Sequence, residues 1–478
     1  MTNNFNLSEN LMKAIELLNY SSFTDVQNQA IPEILAQKDV IVKSQTGSGK
    51  TASFVIPICE HIVWEENAVQ ALVLTPTREL AIQVKDDVFN IGRFKRIKCS
   101  ALYGRDSFVK QSKELKQKTH IAVGTPGRVI DHIERQTLNT DNIKYLVIDE
   151  ADEMLAMGFI EQVEEIIDAL PKNRVTVLLS ATFSSDIQNI AKKYMKNPTK
   201  IEIEQQISTI DKVSQVFYHA DEDKKGQLLR DITTVENPES CIIFCNTQAN
   251  VDDIDDFLYK NGYTCDKIHG GMEQVDRTRI MNNFKRGVFR YLIATDVAAR
   301  GIDVDDISLV INFDMPKKSE TYVHRIGRTG RIGKGGKAIT FVSERGMNSF
   351  DELQEFLNKT IDFEVPPTKT QVEQAKTGFD KKMDKKPQVR ELKGSKLSEN
   401  ITKIHINAGK KTKMRPVDIV GTLCSIDGMT AADIGIINIL DISTFVEVLN
   451  GKGDMVHKVL QTKPIKGRLR TVSLVEND

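Results

Sequence analysis

At 478 residues the chain is long enough for two to four domains, each with a core of its own. A hydrophobic share of 40%, a charged share of 27% and a formal net charge of -1 exclude a uniformly basic nucleic-acid coat, so any nucleic-acid surface has to be local. The opening MTNNFNLSEN lacks a basic start and an apolar stretch, no run approaches a membrane span, and the six cysteines form no CxxC pair. The expectation is a cytoplasmic protein with reduced cysteines and no membrane partner, Cys241 and Cys245 being the ends of a buried strand.

In chain order, the first chemical signal is Gln27, whose carboxamide can pair with N6 and N7 of adenine and so select ATP over GTP. SQTGSGKT follows the apolar run DVIVK and opens a helix, the context of a phosphate-binding loop. Ser44, Gln45, Thr46, Gly47, Ser48 and Gly49 would wrap phosphate oxygens, Lys50 would reach the outer phosphates, and the Thr51 hydroxyl would ligate Mg²⁺. YLVIDEADEM ends a further apolar run in Asp149 and Glu150. One carboxylate there can hold the metal shell while the other deprotonates water for attack on the γ-phosphate.

DVIVKS, ALVLTP, HIAVGT, YLVIDEA and VTVLLSAT alternate with helix-length amphipathic segments, and CIIFCNT, CDKIHG, RYLIATD, LVINFD and KAITFVS do so further on. Continuously apolar runs are what strands covered on both faces show. The expected architecture is α/β, with two tandem parallel-sheet domains over residues 1–207 and 208–365. Residues 366–400 are polar and lysine-rich, and read as a linker with some helix. Residues 401–478 read as strand, helix, two strands, helix and strand, a ferredoxin-like α+β domain.

The second domain has no GKT after CIIFCNT, yet it carries HRIGRTGR with Arg325, Arg328 and Arg331 at intervals of three. That spacing predicts guanidinium groups on one side of a helical turn, and Arg328 and Arg331 are expected to cross to the neighbouring nucleotide and stabilise charge on its γ-phosphate. In the last domain 11 Lys and Arg stand against 8 Asp and Glu, a net of +3. Lys410, Lys411, Lys413 and Arg415 are concentrated in GKKTKMR. Against the pattern of RNA-recognition domains, which stack bases on sheet aromatics, the chain offers only His405, Ser443 and Phe445. RNA is expected to bind through the basic turn and another face, with a protein-docking module as the other reading.

DEAD (149–152), with PTREL (76–80), TPGR (125–128), SAT (180–182), QVDR (274–277), ATDVAARGID (294–303) and HRIGRTGR (324–331), resembles the DEAD-box RNA helicases over about 340 positions. The resemblance implies two RecA-like lobes closing on ATP and RNA together. It implies RNA contacts at Thr77, Arg78, Gly127 and Arg128 on the first lobe and at Thr247, Gln274, Arg277 and Thr295 on the second. It also implies coupling through Ser180, Thr182, His324 and Arg325, and ATP contacts from Phe5 and Asp303. Asn19 and Phe23 stand where the family usually has glycine and proline, and Arg105 where a second glycine is common.

The tail, from KIHINAGKKTKMRPVDIVG to VEVLNGKG, resembles the C-terminal domain of DbpA-type bacterial helicases. That implies binding to 23S ribosomal RNA and large-subunit precursors by a monomer, and local, non-processive unwinding. The alternatives are a DeaD-type cold-shock role or an ATP-gated RNA clamp, and a DNA helicase ranks below these.

Overall fold

The computed structural model describes residues 5–20, 22–44, 48–203, 213–296, 307–330, 336–385, 389, 397 and 399–475. Seven strands, β1 (Val40–Lys43), β2 (Ala71–Leu74), β3 (Cys99–Leu102), β4 (Ile121–Gly124), β5 (Tyr145–Ile148), β6 (Val175–Ser180) and β7 (Thr199–Glu202), form one parallel sheet in the order β3-β4-β2-β5-β6-β1-β7. Successive residues point to opposite faces of a strand. Here Val40 and Val42 join one hydrophobic cluster and Ile41 the other, while Val73 and Leu72 divide in the same way. Helices cover both faces, and that double burial is why these strands read as unbroken apolar runs.

The second sheet repeats the plan with β8 (Val213–His219), β9 (Cys241–Cys245), β10 (Cys265–Ile268), β11 (Tyr291–Thr295), β12 (Leu309–Asn312) and β13 (Gly336–Val342), in the order β10-β11-β9-β12-β13-β8. All of its pairings are parallel. Cys241 and Cys245 are the buried ends of its central strand. Three strands, β3, β7 and β8, were not expected from the sequence. All three lie at sheet edges, where one side has no strand neighbour, and β7 and β8 carry exposed residues that break the apolar run.

The third domain has β14 (Thr402–Ile406), β15 (Ile434–Ile439), β16 (Thr444–Val448) and β17 (Val472–Val475) in the antiparallel order β15-β16-β14-β17, with helices Pro416–Cys424 and Gly453–Leu460. Ile404, Ile406, Val446, Val448, Ile419 and Val456 fill its core. This is the expected ferredoxin-like plan.

The expected linker does carry helix in its first half, and that helix is docked on the second domain. Thr368 caps a 15-residue helix, Lys369–Met383, through a reciprocal bond with Gln371. The helix lays Phe379 into the second domain's core, 5.3 Å from the Tyr263 ring, and Lys382 Nζ donates to the Asn237 carbonyl at 2.8 Å. Leu397, further along, is buried in the first domain's core. A lysine-rich helix anchored only by Phe379 and Met383 has too little apolar periodicity for its docking to be read from the sequence. Among the described residues no helix is long and apolar enough to cross a membrane.

Candidate nucleotide and nucleic-acid sites

Apart from Phe5 and Gln27, which precede the first strand, the candidate residues of the first domain lie at or beyond the carboxyl ends of strands, the edge where open parallel sheets bind ligands. Ser44 follows β1, and helix Lys50–His61 starts six residues on. Gly49 caps it at φ 87°, and a Cβ there would meet Gln27 Nε2 at 2.4 Å, so only glycine fits. Gln27, 2% exposed, accepts from the Thr24 N–H at 3.0 Å and donates to the Gly49 carbonyl at 3.1 Å. One N–H and one lone pair of its carboxamide remain for a base. Lys50 Nζ donates to the Ser44 carbonyl at 2.9 Å. Phe5 is buried against Phe23, with ring centroids 5.1 Å apart. Gln45, Thr46 and Gly47 lie outside the described residues.

Asp149 and Glu150 follow β5. Burial pushes the Asp149 carboxyl up to about 7 and the neighbouring Glu150 adds to that, while Lys50 pulls it down. Glu150 is also raised by burial, with Lys50 and then Arg328 pulling against the rise. Its backbone sits in the left-handed region at φ 52°, ψ 52°, a strain on the order of 1–3 kcal/mol that tends to persist at functional sites. Asp152 binds SAT to this element, since one carboxylate oxygen accepts from Ala181 N at 3.2 Å, Thr182 N at 3.1 Å and Thr182 Oγ1 at 3.4 Å. Ser180 Oγ donates to the Thr182 carbonyl at 2.6 Å.

The two sheets face each other across this edge. Arg328 is buried and close enough to Glu150 to draw its carboxyl down. His324 Nδ1 lies 2.6 Å from Glu153 Oε1. The expected common helical face for the arginines is corrected. Helix Ser319–Ile326 stops at its C-cap Gly327, so Arg328 lies on the turn beyond it. Gly330 continues that turn at φ 72°, and a Cβ there would meet Val213 Cγ2 at 2.7 Å. Arg325 points into its own domain, forking onto Asp296 at 2.5 and 2.7 Å and reaching Asn246 Oδ1 at 2.9 Å and the Asp314 carbonyl at 2.7 Å. Arg331 and Asp303 lie outside the described residues.

The residues implied for RNA gather along the same cleft. Thr77 caps helix Arg78–Ile91, and Thr247 caps helix Gln248–Lys260. Arg128, at the start of helix Pro126–Glu134 beside Gly127, donates to Gln111 Oε1 at 2.9 Å and the Asp106 carbonyl at 3.1 Å. Gln274 and Arg277 reach across to Glu79, at 3.1 and 2.8 Å. Thr295 ends β11, and burial lowers both Arg78 and Arg277. Glu79 and Glu153 were not singled out from the sequence, although PTREL and DEADEM contain them.

The departures at Asn19 and Arg105 have a shared cause, for both sit at φ 59°. They keep the left-handed backbone that glycine otherwise supplies, and asparagine adopts it readily. Arg105 uses the position differently, because its guanidinium crosses the cleft to donate to the Gly270 carbonyl at 2.6 Å.

In the third domain His405 pairs with Phe445, ring centroids 5.0 Å apart, and its Nε2 lies 3.0 Å from Ser443 Oγ. Lys403 Nζ sits 5.3 Å from the centre of the Phe445 ring. Lys410, Lys411, Lys413 and Arg415 are exposed on a turn fastened to the β15–β16 connection by Lys410 N to the Leu440 carbonyl and Lys411 N to the Asp441 carbonyl, both 2.8 Å.

Residues 24–190 match the DEAD/DEAH box helicase family, 224–333 the helicase conserved C-terminal domain and 403–474 the DbpA RNA binding domain. The chain is similar to the ATP-dependent RNA helicase DbpA of Bacillus subtilis (strain 168), 52% identical over 97% of both chains. It is also similar to the DEAD-box ATP-dependent RNA helicase CshA of Geobacillus kaustophilus, 42% identical over 76% of this chain and 78% of that one. Among solved structures it is similar to S. cerevisiae Dbp5 bound to RNA and ADP BeF3, with a TM-score of 0.69 and 30% identity over 79% of this chain and 98% of that one. Against a Dbp5 variant bound to Nup159, a Gle1 variant, IP6 and ADP, the TM-score is 0.55 at 29% identity, over 79% of this chain and 100% of that one.

Proposed function

The chain belongs to the DEAD-box ATP-dependent RNA helicases of the DbpA type, and from that premise we propose that its third domain directs unwinding to 23S ribosomal RNA during assembly of the large ribosomal subunit. The observation that supports the mechanism is that the second lobe brings Arg328, buried, near enough to Glu150 to pull its carboxyl down, while Gln274 and Arg277 of the same lobe bond to Glu79.

ATP phosphates lie on the 44–51 loop, with Lys50 on the outer phosphates and Gln27 against the base. Asp149, a buried carboxyl pushed far above its usual range at the same strand edge as the 44–51 loop, and the Thr51 hydroxyl are both hard oxygen donors of the kind that suits a small divalent cation. Thr51 and Asp149 would hold Mg²⁺, which supplies charge neutralisation at the phosphate oxygens. Glu150 takes the proton from water as the water oxygen attacks the γ-phosphorus, and the bond to the β-phosphate oxygen breaks. Arg328 stabilises the charge that spreads over the transferred group.

RNA held by Arg78, Arg128, Gln274 and Arg277 brings the lobes together, so hydrolysis waits for RNA. These are backbone contacts without sequence information, and target choice falls to the third domain, through Lys410, Lys411, Lys413 and Arg415. The test compares ATPase stimulation by 23S ribosomal RNA fragments with bulk RNA in the full chain and in Lys410→Glu/Lys411→Glu. Equal stimulation by both RNAs in the unaltered chain would refute the targeting.

A further inference from the structure

A second contact between domains lies at the rear of the first lobe, at the amino ends of β2 and β3 and away from the nucleotide. Residues 92–98, which lead into β3, meet the third domain's sheet. Arg93 NH2 pairs with Glu447 Oε1 at 3.3 Å, with side chains 8% and 11% exposed. Lys98 Nζ donates to the Ile437 carbonyl and to Asn438 Oδ1, both at 2.6 Å, and Arg96 donates to the Ala431 carbonyl. Lys13 Nζ reaches Asn450 Oδ1 at 3.5 Å. Trp64 and Phe94 line a groove here against Ala432 and Leu449. Ile436 and Leu449 are buried although neither belongs to the third domain's own core.

Strand register places these contacts. Lys403 pairs with Glu447, His405 with Phe445, and Asn438 with Phe445. Glu447 and Asn438 therefore share the sheet face on which Phe445 lies, the face that RNA-recognition domains use for bases. Half of that face carries a buried carboxylate. A phosphate chain would meet it as a like charge, whereas a guanidinium meets it as a partner. Glu447 Oε2 further accepts from the Ile436 N–H at 3.4 Å, and a Cβ on Gly435 would come within 2.9 Å of the Glu447 Cβ. The carboxylate is thus set into the sheet and aimed at Arg93, which in turn lies 5.0 Å from the centre of the Phe89 ring.

We propose that the β15–β16 half of the third domain's sheet is a protein-docking face whose partner is the first lobe of the same chain. RNA is left to the β14 side and the 410–415 turn. The RNA-targeting domain then moves with the lobe that holds ATP, although the helix Lys369–Met383 that leads to it is anchored on the other lobe. This inference does not depend on which RNA is bound.

The test is energy transfer in the full chain, from a dye on the exposed Cys424 to a second dye at Asn173→Cys on the first lobe. Glu447→Arg is expected to lower the ratio of docked to undocked molecules at least about tenfold, as loss of a buried charge pair does. Arg93→Glu, on the opposite side of the contact, should do the same without touching the third domain. Combining the two reversals should restore most of the docked population. Unchanged transfer in either single variant, or no recovery in the double variant, overturns the proposal. ATP hydrolysis without RNA should stay the same throughout, since the contact is remote from the nucleotide.

Discussion

The chain meets itself across two interfaces of opposite character. At the front, two sheets face each other with Glu79, Glu150 and Glu153 on one side and Arg277, His324 and Arg328 on the other. At the rear, one lobe meets the third domain through Arg93, Arg96 and Lys98 set against a single carboxylate, backbone carbonyls and an asparagine. Burial at the front raises Asp149 and Glu150, a cost that a cationic ligand or the opposite lobe offsets. At the rear the cations outnumber the one carboxylate, but Arg93, Arg96 and Lys98 each have an oxygen partner within the chain. A front built this way is suited to open and close with ligand, and a rear built the other way is suited to stay shut.

The largest effect that bears on this contrast is at Glu150. In Glu150→Gln, RNA-stimulated turnover should fall by about 10²–10⁴-fold, the range for a lost general base, while ATP and RNA still bind. Normal turnover in that variant would break the front-interface account. His324→Ala removes a cross-lobe contact to a buried carboxylate. Such bonds contribute about 1.5–3 kcal/mol, so the RNA concentration for half-maximal ATPase should rise roughly tenfold or more. Arg105→Gly keeps the left-handed backbone and loses only the exposed bond to Gly270, so the same titration should shift about two- to fivefold.

The smallest effect is on stability and depends on pH. Asp149 binds its proton more tightly folded than unfolded, so its stabilisation is complete below its usual value of 3.8 and is lost as pH rises through about 7. Asp149→Asn removes that loss. Without ligand, its thermal midpoint should lie above that of the unaltered chain at pH 8, with the gap closing on acidification. A midpoint no higher at pH 8 would show that the carboxylate is not strained in the empty pocket.

What was legible in the sequence followed the same division. The central strands were visible because burial on both faces makes them continuously apolar, and the edge strands β3, β7 and β8 were not, because their patterns are mixed. Lys50, Glu150 and Arg328 announced themselves through motifs whose chemistry demands those side chains. Glu79 and Glu153 sat inside the same motifs but act through partners on the other lobe, a pairing that chain order does not encode. The helical face expected for Arg328 failed at Gly327, where the helix ends. Arg93, Lys98 and Glu447 had no motif at all, and charged residues scattered over 350 positions look like ordinary solvated surface until the fold brings them together.

The central claim is that the hydrolytic pocket is completed only when Arg328 arrives from the second lobe. Single-turnover ATP hydrolysis in Arg328→Ala, with saturating RNA and closure followed at the same time by energy transfer between dyes on the two lobes, tests it most directly. The account predicts normal closure with hydrolysis slowed by about 10³-fold or more. Closure followed by hydrolysis at the unaltered rate would contradict it.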